Sequence, residues 1–121
     1  MTARPRPSHT PQPTIRHDEE GGFYEVLVDG RSAGLLVYGL EGKRRVFTHV
    51  FITEEYRGRS LSSLLIRAAL DDIRSTGGTL TNYCPVVGRF VDNNPAYTTI
   101  IDAAQPGRWR RTKADMLESH P

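Results

Sequence analysis

The sequence contains a single cysteine, Cys84, so the chain cannot form an internal disulfide. It has no apolar run near the roughly 20 residues that a membrane-spanning helix needs. Arg4 and Arg6 are not followed by the apolar stretch of a secretory signal. These absences exclude disulfide-stabilised and membrane-spanning classes of protein, and we expect a cytoplasmic location.

Acidic charge is missing from the N-terminal segment and scarce at the C-terminus. Residues 1–17 carry a formal charge of +3, residues 106–121 carry +2 and the whole chain +2, so residues 18–105 carry −3. A mildly acidic centre lacks the basic face that specific nucleic-acid binding requires. We predict a disordered, proline-rich tail over 1–17, one folded domain over 18–105, and a basic tail or short amphipathic helix over 106–121.

The centre of the chain alternates between apolar and polar residues in the way that strands do. Phe23–Val28, Arg31–Leu40 and Arg44–Ile52 are β-branched or aromatic and are separated by Asp29-Gly30 and by Glu41-Gly42-Lys43. They predict a three-stranded antiparallel meander.

A helical pattern follows the third strand and leads to another strand. Ser60 is predicted as its N-cap and Gly77 as its end, and a fourth, parallel strand is expected over Thr79–Tyr83. A second short helix is predicted from about Val86 to Asp92, after Pro85.

The polar turn between the third strand and the first helix is a candidate anion site. The first amides of a helix lack internal acceptors, and the helix dipole favours negative charge there. Arg57 and Arg59 flank this point with two positive charges, and Gly58 permits a tight turn. Most strand-turn-helix units bind no anion, however, so the pattern alone leaves both interpretations open.

The same turn resembles the acetyl-CoA-binding motif Q/R-x-x-G-x-G/A of the GCN5-related N-acetyltransferases (GNATs). It stands here as Arg57-Gly58-Arg59-Ser60-Leu61-Ser62, with Ser60 and Ser62 at the glycine positions. The later segments Asn82–Val87 and Arg89–Tyr97, together with His49, are similar to a subfamily of minimal, single-domain GNAT-like proteins. The resemblance covers roughly Gly22 to Tyr97.

The resemblance implies a GNAT-like α/β fold in which an antiparallel meander precedes a β-α-β crossover, and in which the parallel strand pair splays apart. It also implies acetyl-CoA (CoA) as cofactor, with its pantetheine arm in the gap. The predicted cofactor-binding residues are Phe51, Ile52, Thr53, Arg57, Gly58, Arg59, Ser60, Leu61, Ser62 and Asn94.

Cys84 and His49 are two candidates for catalysis. Cys84 precedes a helix that begins with proline, which fits a nucleophile, a residue that lines the thioester pocket, or a buried small hydrophobe. We favour pocket lining over covalent catalysis. Strict alternation places His49 on the face of Phe47 and Phe51, where it is either structural or a proton acceptor. In the resembling subfamily an acid stands two positions after this histidine, and here that position is Phe51.

The resemblance assigns two further positions near the end of the domain. Asn94, Pro95 and Tyr97 correspond to the family's His-Pro-x-Tyr, with Asn94 in place of histidine. By that resemblance Tyr97 is a candidate general acid for the leaving thiolate, and the alternative is a packing tyrosine with a wet hydroxyl. No cluster has metal-ligand spacing, so we expect no metal.

The sequence therefore favours an acyl-CoA-dependent N-acyltransferase, acetyl-CoA being the expected donor. Its partner is an amine acceptor, either a small molecule or a protein, with no membrane and no specific nucleic acid, and we expect a monomer or weak homodimer. A CoA-binding or CoA-sensing module with vestigial activity is the first alternative. An interaction protein that works through its proline-rich and basic ends is the second.

Overall fold

The computed structural model describes residues 12–108 and contains the predicted strands with one more before them. The elements are β1 Pro13–Asp18, β2 Phe23–Val28, β3 Arg31–Glu41, β4 Arg44–Ile52, α1 Leu61–Thr76, β5 Thr79–Asn82 and α2 Pro85–Asn93. Short 3-10 helices span Glu54–Tyr56 and Pro95–Ile100.

The five strands form one mixed sheet in the order in which they occur along the chain. β1 to β4 pair antiparallel, and β5 lies parallel to β4 after the crossover through α1. This confirms the predicted α/β architecture of a meander followed by a β-α-β unit. The meander has four strands instead of three.

The extra strand, β1, corrects the predicted disordered tail over 1–17 for its last residues, 13–17, which are part of the sheet. Its residues pair with β2 along their whole length, from Pro13 opposite Val28 to Asp18 opposite Phe23. Pro13 is the first residue of an edge strand, where its missing N–H need not weaken the sheet. Ile15 packs against the core and helps to hold the strand in place. Residues 1–11 lie outside the described part of the chain.

The C-terminal boundary also lies further along the chain than predicted. The amide of Asn82 donates to the carbonyl of Pro106 at 3.0 Å, and Asn82 and Gly107 form an isolated parallel bridge. The folded domain therefore continues beyond residue 105. The predicted tail or helix with Trp109 and Met116 falls outside the described residues.

α1 covers one face of the sheet and supplies much of the core. Its buried side chains recur at helical spacing and meet buried strand residues such as Leu36 and Phe47. Each fully buried leucine or isoleucine contributes about 1.5–3 kcal/mol relative to an exposed one. The buried residues of the helix are Leu61, Leu65, Ile66, Ala69, Leu70 and Ile73.

The two ends of α1 lie where the sequence places them. Ser60 is the N-cap residue, and Gly77 ends the helix with a φ of 75°. The amides of Gly77 and Gly78 return to carbonyls of the last turn, those of Arg74 and Ile73. Among the helices of residues 12–108, none is both long and apolar enough to cross a lipid bilayer.

A polar cluster lies at the beginning of β4 and is hereafter called the closed-end cluster. It consists of His17, Tyr24, Tyr38, Arg45 and Asp72. Arg45 donates to the Asp72 carboxylate at 3.0 Å and to the Tyr24 hydroxyl, while Tyr24 donates to Asp72 at 2.5 Å. The ring of His17 stacks on Tyr24 with centroids 4.0 Å apart, and its Nε2 lies 2.6 Å from the Tyr38 hydroxyl. Every member thus has a polar partner.

The closed-end cluster shifts the pKa values of its members in directions that its contacts explain. Burial raises the pKa of Tyr24, and the hydrogen bond to Asp72 raises it further. Burial alone would raise the pKa of Asp72. The hydrogen bonds from Tyr24 and Arg45 outweigh that effect, so the pKa of this carboxyl is lowered.

Candidate functional site

On the side that faces β5, the second half of β4 is not paired with β5. Parallel pairing with β5 ends at Phe47 opposite Asn82, where the Tyr83 amide donates to the Phe47 carbonyl at 2.9 Å. β4 continues to Ile52, whereas β5 stops and the chain turns into α2. We call the edge of β4 that faces β5 over residues 48–52 the open edge. Within residues 12–108 no strand pairs with it.

The direction of the amides along this segment follows from one hydrogen bond. The Thr53 amide donates to the Ala33 carbonyl at 2.9 Å, on the β3 side. Since successive residues of a strand direct their backbone groups to opposite edges, the amides of Ile52 and Val50 point to the open edge. The Ile52 carbonyl accepts from Arg57 Nε at 3.2 Å on that side, which agrees with this assignment. The open edge therefore presents two amide donors to a ligand.

A β-bulge in β4 corrects the predicted face of His49. Tyr38 of β3 stands opposite Phe47, but the preceding Val37 stands opposite His49, so Thr48 is an extra residue. After the bulge the alternation is reversed. Phe47 is buried in the core, whereas His49 and Phe51 are exposed with ring centroids 6.5 Å apart. His49 thus lies beside Phe51 but away from Phe47.

The turn before α1 has an unusual backbone. Gly58 has a φ of 82°, and Ser60 has a φ of 61°, in the left-handed region that rarely suits a side chain. Ser60 makes no side-chain capping bond, which differs from the usual role of an N-cap serine. The Ser60 carbonyl accepts a hydrogen bond from the Leu64 amide at 3.3 Å, the first hydrogen bond of the helix. The amides of residues 61–63 are therefore available to an anion, as those at a helix N-terminus are.

Two cations flank this turn. Arg57 is held at the open edge by its bond to Ile52, and the Arg59 guanidinium lies 5.4 Å from the centre of the Tyr56 ring. No ion pair to a carboxylate is found for either arginine within residues 12–108. The exposed Glu54 and Glu55 precede them on the 3-10 helix. The positive charge of the turn is thus available to a ligand.

A first cavity of about 410 Å³ joins the open edge to this turn. It contains one imidazole and one guanidinium but no carboxylate. Its lining residues are His49, Val50, Phe51, Ile52, Tyr56, Arg57, Gly58, Ser60, Leu61, Ser62 and Val86.

A second cavity of about 360 Å³ adjoins the first, and Ser62 and Val86 line both. It lies between α1 and α2 and carries two arginines, Arg67 and Arg89, with no acidic residue in its lining. No sequence pattern indicates this cavity, because its residues come from two helices that only the packing brings together. The remaining lining residues are Ser63, Ile66, Phe90, Asn93 and Asn94.

The structure brings most of the predicted cofactor-binding residues together. Thr53 and Arg59 line neither cavity, although both adjoin the turn, and Asn94 lines the second cavity. The first cavity also contains Val50, Tyr56 and Val86, which were not predicted. The other seven predicted residues line the first cavity: Phe51, Ile52, Arg57, Gly58, Ser60, Leu61 and Ser62.

Two predicted catalytic residues lie outside the first cavity. Cys84 is 4% exposed and lines neither cavity, and its amide donates to Asn82 Oδ1 at 3.0 Å. Tyr97 is also buried, and its hydroxyl donates to the Asp71 carboxylate at 2.6 Å. That hydrogen bond, followed by burial, raises the pKa of Tyr97. Of the three candidates, only His49 lines the first cavity.

Comparison with known proteins places these features in context. A family model described as GCN5-related N-acetyl-transferase matches residues 23–100. Protein NATD1 of Bos taurus is 30% identical over 83 residues, which are 67% of this chain and 74% of that protein.

Solved structures resemble the fold at low sequence identity. A GCN5-like protein from Staphylococcus aureus, solved by NMR, superposes with a TM-score of 0.56 at 12% identity and covers 72% of this chain and 85% of that chain. The ribosomal-protein-S18-alanine N-acetyltransferase from Escherichia coli gives 0.47 at 13% identity and covers 50% of this chain and 39% of that chain. The first of these likenesses supports the arrangement of strands and helices described above.

Proposed function

The chain belongs to the GCN5-related N-acetyltransferase family, and on that premise we propose that it transfers an acyl group, acetyl in the first instance, from acyl-CoA to a primary amine. The observation that carries the proposal is the first cavity, where the open edge of β4 meets the free amides at the start of α1. An elongated ligand with a phosphate group and an amide-bearing arm fits both features.

The donor set fits the phosphates of CoA. Three free amides, two guanidinium groups and the left-handed backbone at Ser60 lie together at one turn. Backbone amides and arginines are the groups that most often hold phosphate in proteins. Non-glycine residues with positive φ are concentrated at ligand sites, where binding offsets their strain.

The open edge fits the reacting end of the ligand. Bound acyl-CoA supplies the acyl group as a thioester. The amides of Val50 and Ile52 can donate to the ligand along the open edge, and one of them can polarise the carbonyl during attack by the amine. The edge is fixed by β3 on its other side, so these donors need little rearrangement.

His49 is the group that we assign to proton removal from the amine. It lines the first cavity, and its side chain is exposed next to Phe51. Imidazole is suited to proton transfer near neutral pH. The Tyr97 hydroxyl donates a hydrogen bond to Asp71, and Tyr97 lines neither cavity. We therefore do not assign Tyr97 the protonation of the leaving thiolate.

The placement of Cys84 favours direct transfer over a covalent acyl-enzyme. A nucleophilic thiol needs access to the thioester, and this one is buried. We expect Cys84→Ala to keep turnover within about threefold of wild type, whereas loss of a covalent nucleophile lowers it by orders of magnitude. Mass spectrometry after incubation with acetyl-CoA alone should find no acetyl group on Cys84, and a rapid, stoichiometric adduct would contradict direct transfer.

The experiment that tests the proposal has two stages. Isothermal titration calorimetry with CoA measures binding, and labelled acetyl-CoA with a panel of amines and peptides measures transfer. We expect saturable, one-to-one binding followed by acetylation of at least one acceptor, with His49→Phe retaining binding and losing transfer. Absence of CoA binding to a folded protein would overturn the proposal.

A CoA-binding module with vestigial activity is the second candidate. The first cavity contains no carboxylate, and Phe51 occupies the position where the resembling subfamily carries an acid. Tight CoA binding without transfer to any amine of the panel would favour this candidate.

A further inference from the structure

The second cavity has the composition of a site for a phosphate monoester. Arg67 and Arg89 contribute two positive charges, and Ser62, Ser63 and Asn93 contribute neutral polar groups. No acidic residue lines the cavity to neutralise the arginines. A cavity that collects positive charge without a compensating carboxylate favours an anionic ligand.

The guanidinium of Arg67 is held in place before any ligand arrives. It lies 5.2 Å from the centre of the Phe90 ring and 3.5 Å from the Tyr97 hydroxyl. Tyr97 in turn donates to the Asp71 carboxylate at 2.6 Å. Asp71 accepts this hydrogen bond, and within residues 12–108 no ion pair is found between Arg67 and a carboxylate, so the Arg67 guanidinium remains available to a ligand. An arginine stacked on an aromatic ring loses less side-chain entropy when it binds phosphate.

Arg89 lies on the facing helix, α2. Its side chain is exposed on α2, and no ion pair is found for it within residues 12–108. The two arginines therefore approach the same cavity from α1 and from α2. Two guanidinium groups can share the three terminal oxygens of one phosphate.

The second cavity is continuous with the site already described, because Ser62 and Val86 line both cavities. A ligand whose pyrophosphate lies at the turn before α1 can extend past Ser62 into it. In CoA, the ribose that follows the pyrophosphate carries a phosphate monoester at its 3′ position. At neutral pH that group has a charge of about −1.5 to −2.

We propose that the second cavity binds the 3′-phosphate of CoA through Arg67 and Arg89, so that the protein distinguishes CoA from dephospho-CoA. This rests on the proposed function, because it requires CoA in the first cavity. It assigns Arg67 and Arg89 as binding residues that select the cofactor without touching the reacting atoms.

The test compares the affinities of two ligands that differ only in the 3′-phosphate. Calorimetry with the full chain should show CoA binding about tenfold more tightly than dephospho-CoA, as expected when charge-assisted bonds form at an exposed site. Arg89→Gln and Arg67→Gln should each lower the affinity for CoA and leave that for dephospho-CoA unchanged. Adenosine 3′,5′-bisphosphate should compete with CoA more strongly than adenosine 5′-phosphate.

Lys43→Gln is the matched control. It also removes one positive charge, but Lys43 lies just before β4, at the end of that strand away from the open edge. It should keep the tenfold preference for CoA. If Arg67→Gln unfolds, as circular dichroism would show, Arg89→Gln alone carries the test because its side chain is exposed.

The outcomes separate this inference from the proposed function. Equal affinity of wild type for CoA and dephospho-CoA overturns the inference and leaves the proposed function intact. A preference that survives both arginine substitutions also overturns it. Failure of both ligands to bind overturns the proposed function and the inference together.

Discussion

The two ends of β4 are built from the same strand and behave in opposite ways. At its beginning β4 pairs with β3 on one side and β5 on the other, and Arg45 is buried in the closed-end cluster. At its end β3 is its one strand partner among residues 12–108, and the side chains of His49 and Phe51 are exposed. The bulge at Thr48 separates the two halves.

The difference lies in which hydrogen-bonding groups have partners. In the closed-end cluster each polar side chain meets another, which makes it a stabilising network. At the open edge and the turn before α1, the backbone amides have no strand or helix partner within residues 12–108, and the two arginines there form no ion pair with a carboxylate of this region. Substitutions at the two ends should therefore separate stability from ligand binding.

The largest effect on binding is expected from Gly58→Glu at the turn. A Cβ at Gly58 meets no atom within 4 Å, so the first atom of the side chain makes no clash, but the charge of glutamate would repel phosphate. Like charges in contact cost several kcal/mol, and we expect CoA affinity to fall by more than about 100-fold in calorimetry.

Gly58→Ala is the control for the backbone of that variant. Its φ of 82° strains any side chain, so both substitutions should lower stability by about 1–2 kcal/mol. Only glutamate adds charge, so alanine should keep most of the CoA affinity. Equal loss of binding in the two variants would show that backbone strain, and not charge, is responsible.

The next largest effect is expected on stability, from Arg45→Met in the closed-end cluster. Removing one partner of a buried ion pair costs about 3–5 kcal/mol, but the Asp72 side chain is 32% exposed and recovers some hydration. We therefore expect a loss of about 2 kcal/mol in urea unfolding, with CoA affinity unchanged.

Arg16→Met is the matched control on the other face of the sheet. The Arg16 side chain is 52% exposed and pairs with Glu25 and Asp18, so its loss should cost less than about 1 kcal/mol. If Arg16→Met costs as much as Arg45→Met, burial of the cluster does not explain its contribution.

The lowered pKa of Asp72 predicts a smaller, pH-dependent effect at the same end. The facing groups are Tyr24, Arg45 and His17, which all favour the carboxylate. A carboxyl whose pKa is lower in the folded state contributes stability above its unfolded pKa, near 4, and loses it as pH falls through the folded value. Between pH 6 and pH 2, the free energy of unfolding should therefore fall less steeply for Asp72→Asn than for wild type. An equal dependence on pH in the two proteins would contradict a stabilising role for the Asp72 carboxylate.

How well the sequence predicted the molecule depends on how local each feature is. The limits of α1 follow from Ser60 and Gly77, and the turn before it follows from Arg57 and Gly58, because each signal lies within a few residues. The strand β1 was missed because prolines dominate the segment before it, while its support comes from pairing with β2.

The bulge and the second cavity could not be read from residue patterns. Apolar or aromatic residues occur on both sides of Thr48, so alternation fits either face, and only pairing with β3 decides that His49 is exposed. Arg67 and Arg89 lie on different helices, and their common cavity results from how α1 and α2 pack. Both features depend on contacts between elements.

The smallest predicted effect concerns Ser60, the residue with a left-handed backbone at the turn between the open edge of β4 and α1. Relief of a φ of 61° by glycine is worth about 1–2 kcal/mol, and the greater chain entropy of unfolded glycine offsets about 0.5–1 kcal/mol of it. Ser60→Gly should therefore raise the free energy of unfolding by about 0.5 kcal/mol. Ser60→Ala keeps the strain and removes the hydroxyl, so it isolates any contribution of that group to CoA affinity. If serine crowds the phosphate, glycine alone binds CoA more tightly. If its hydroxyl is a ligand, both variants bind more weakly, and calorimetry on the pair decides between these roles.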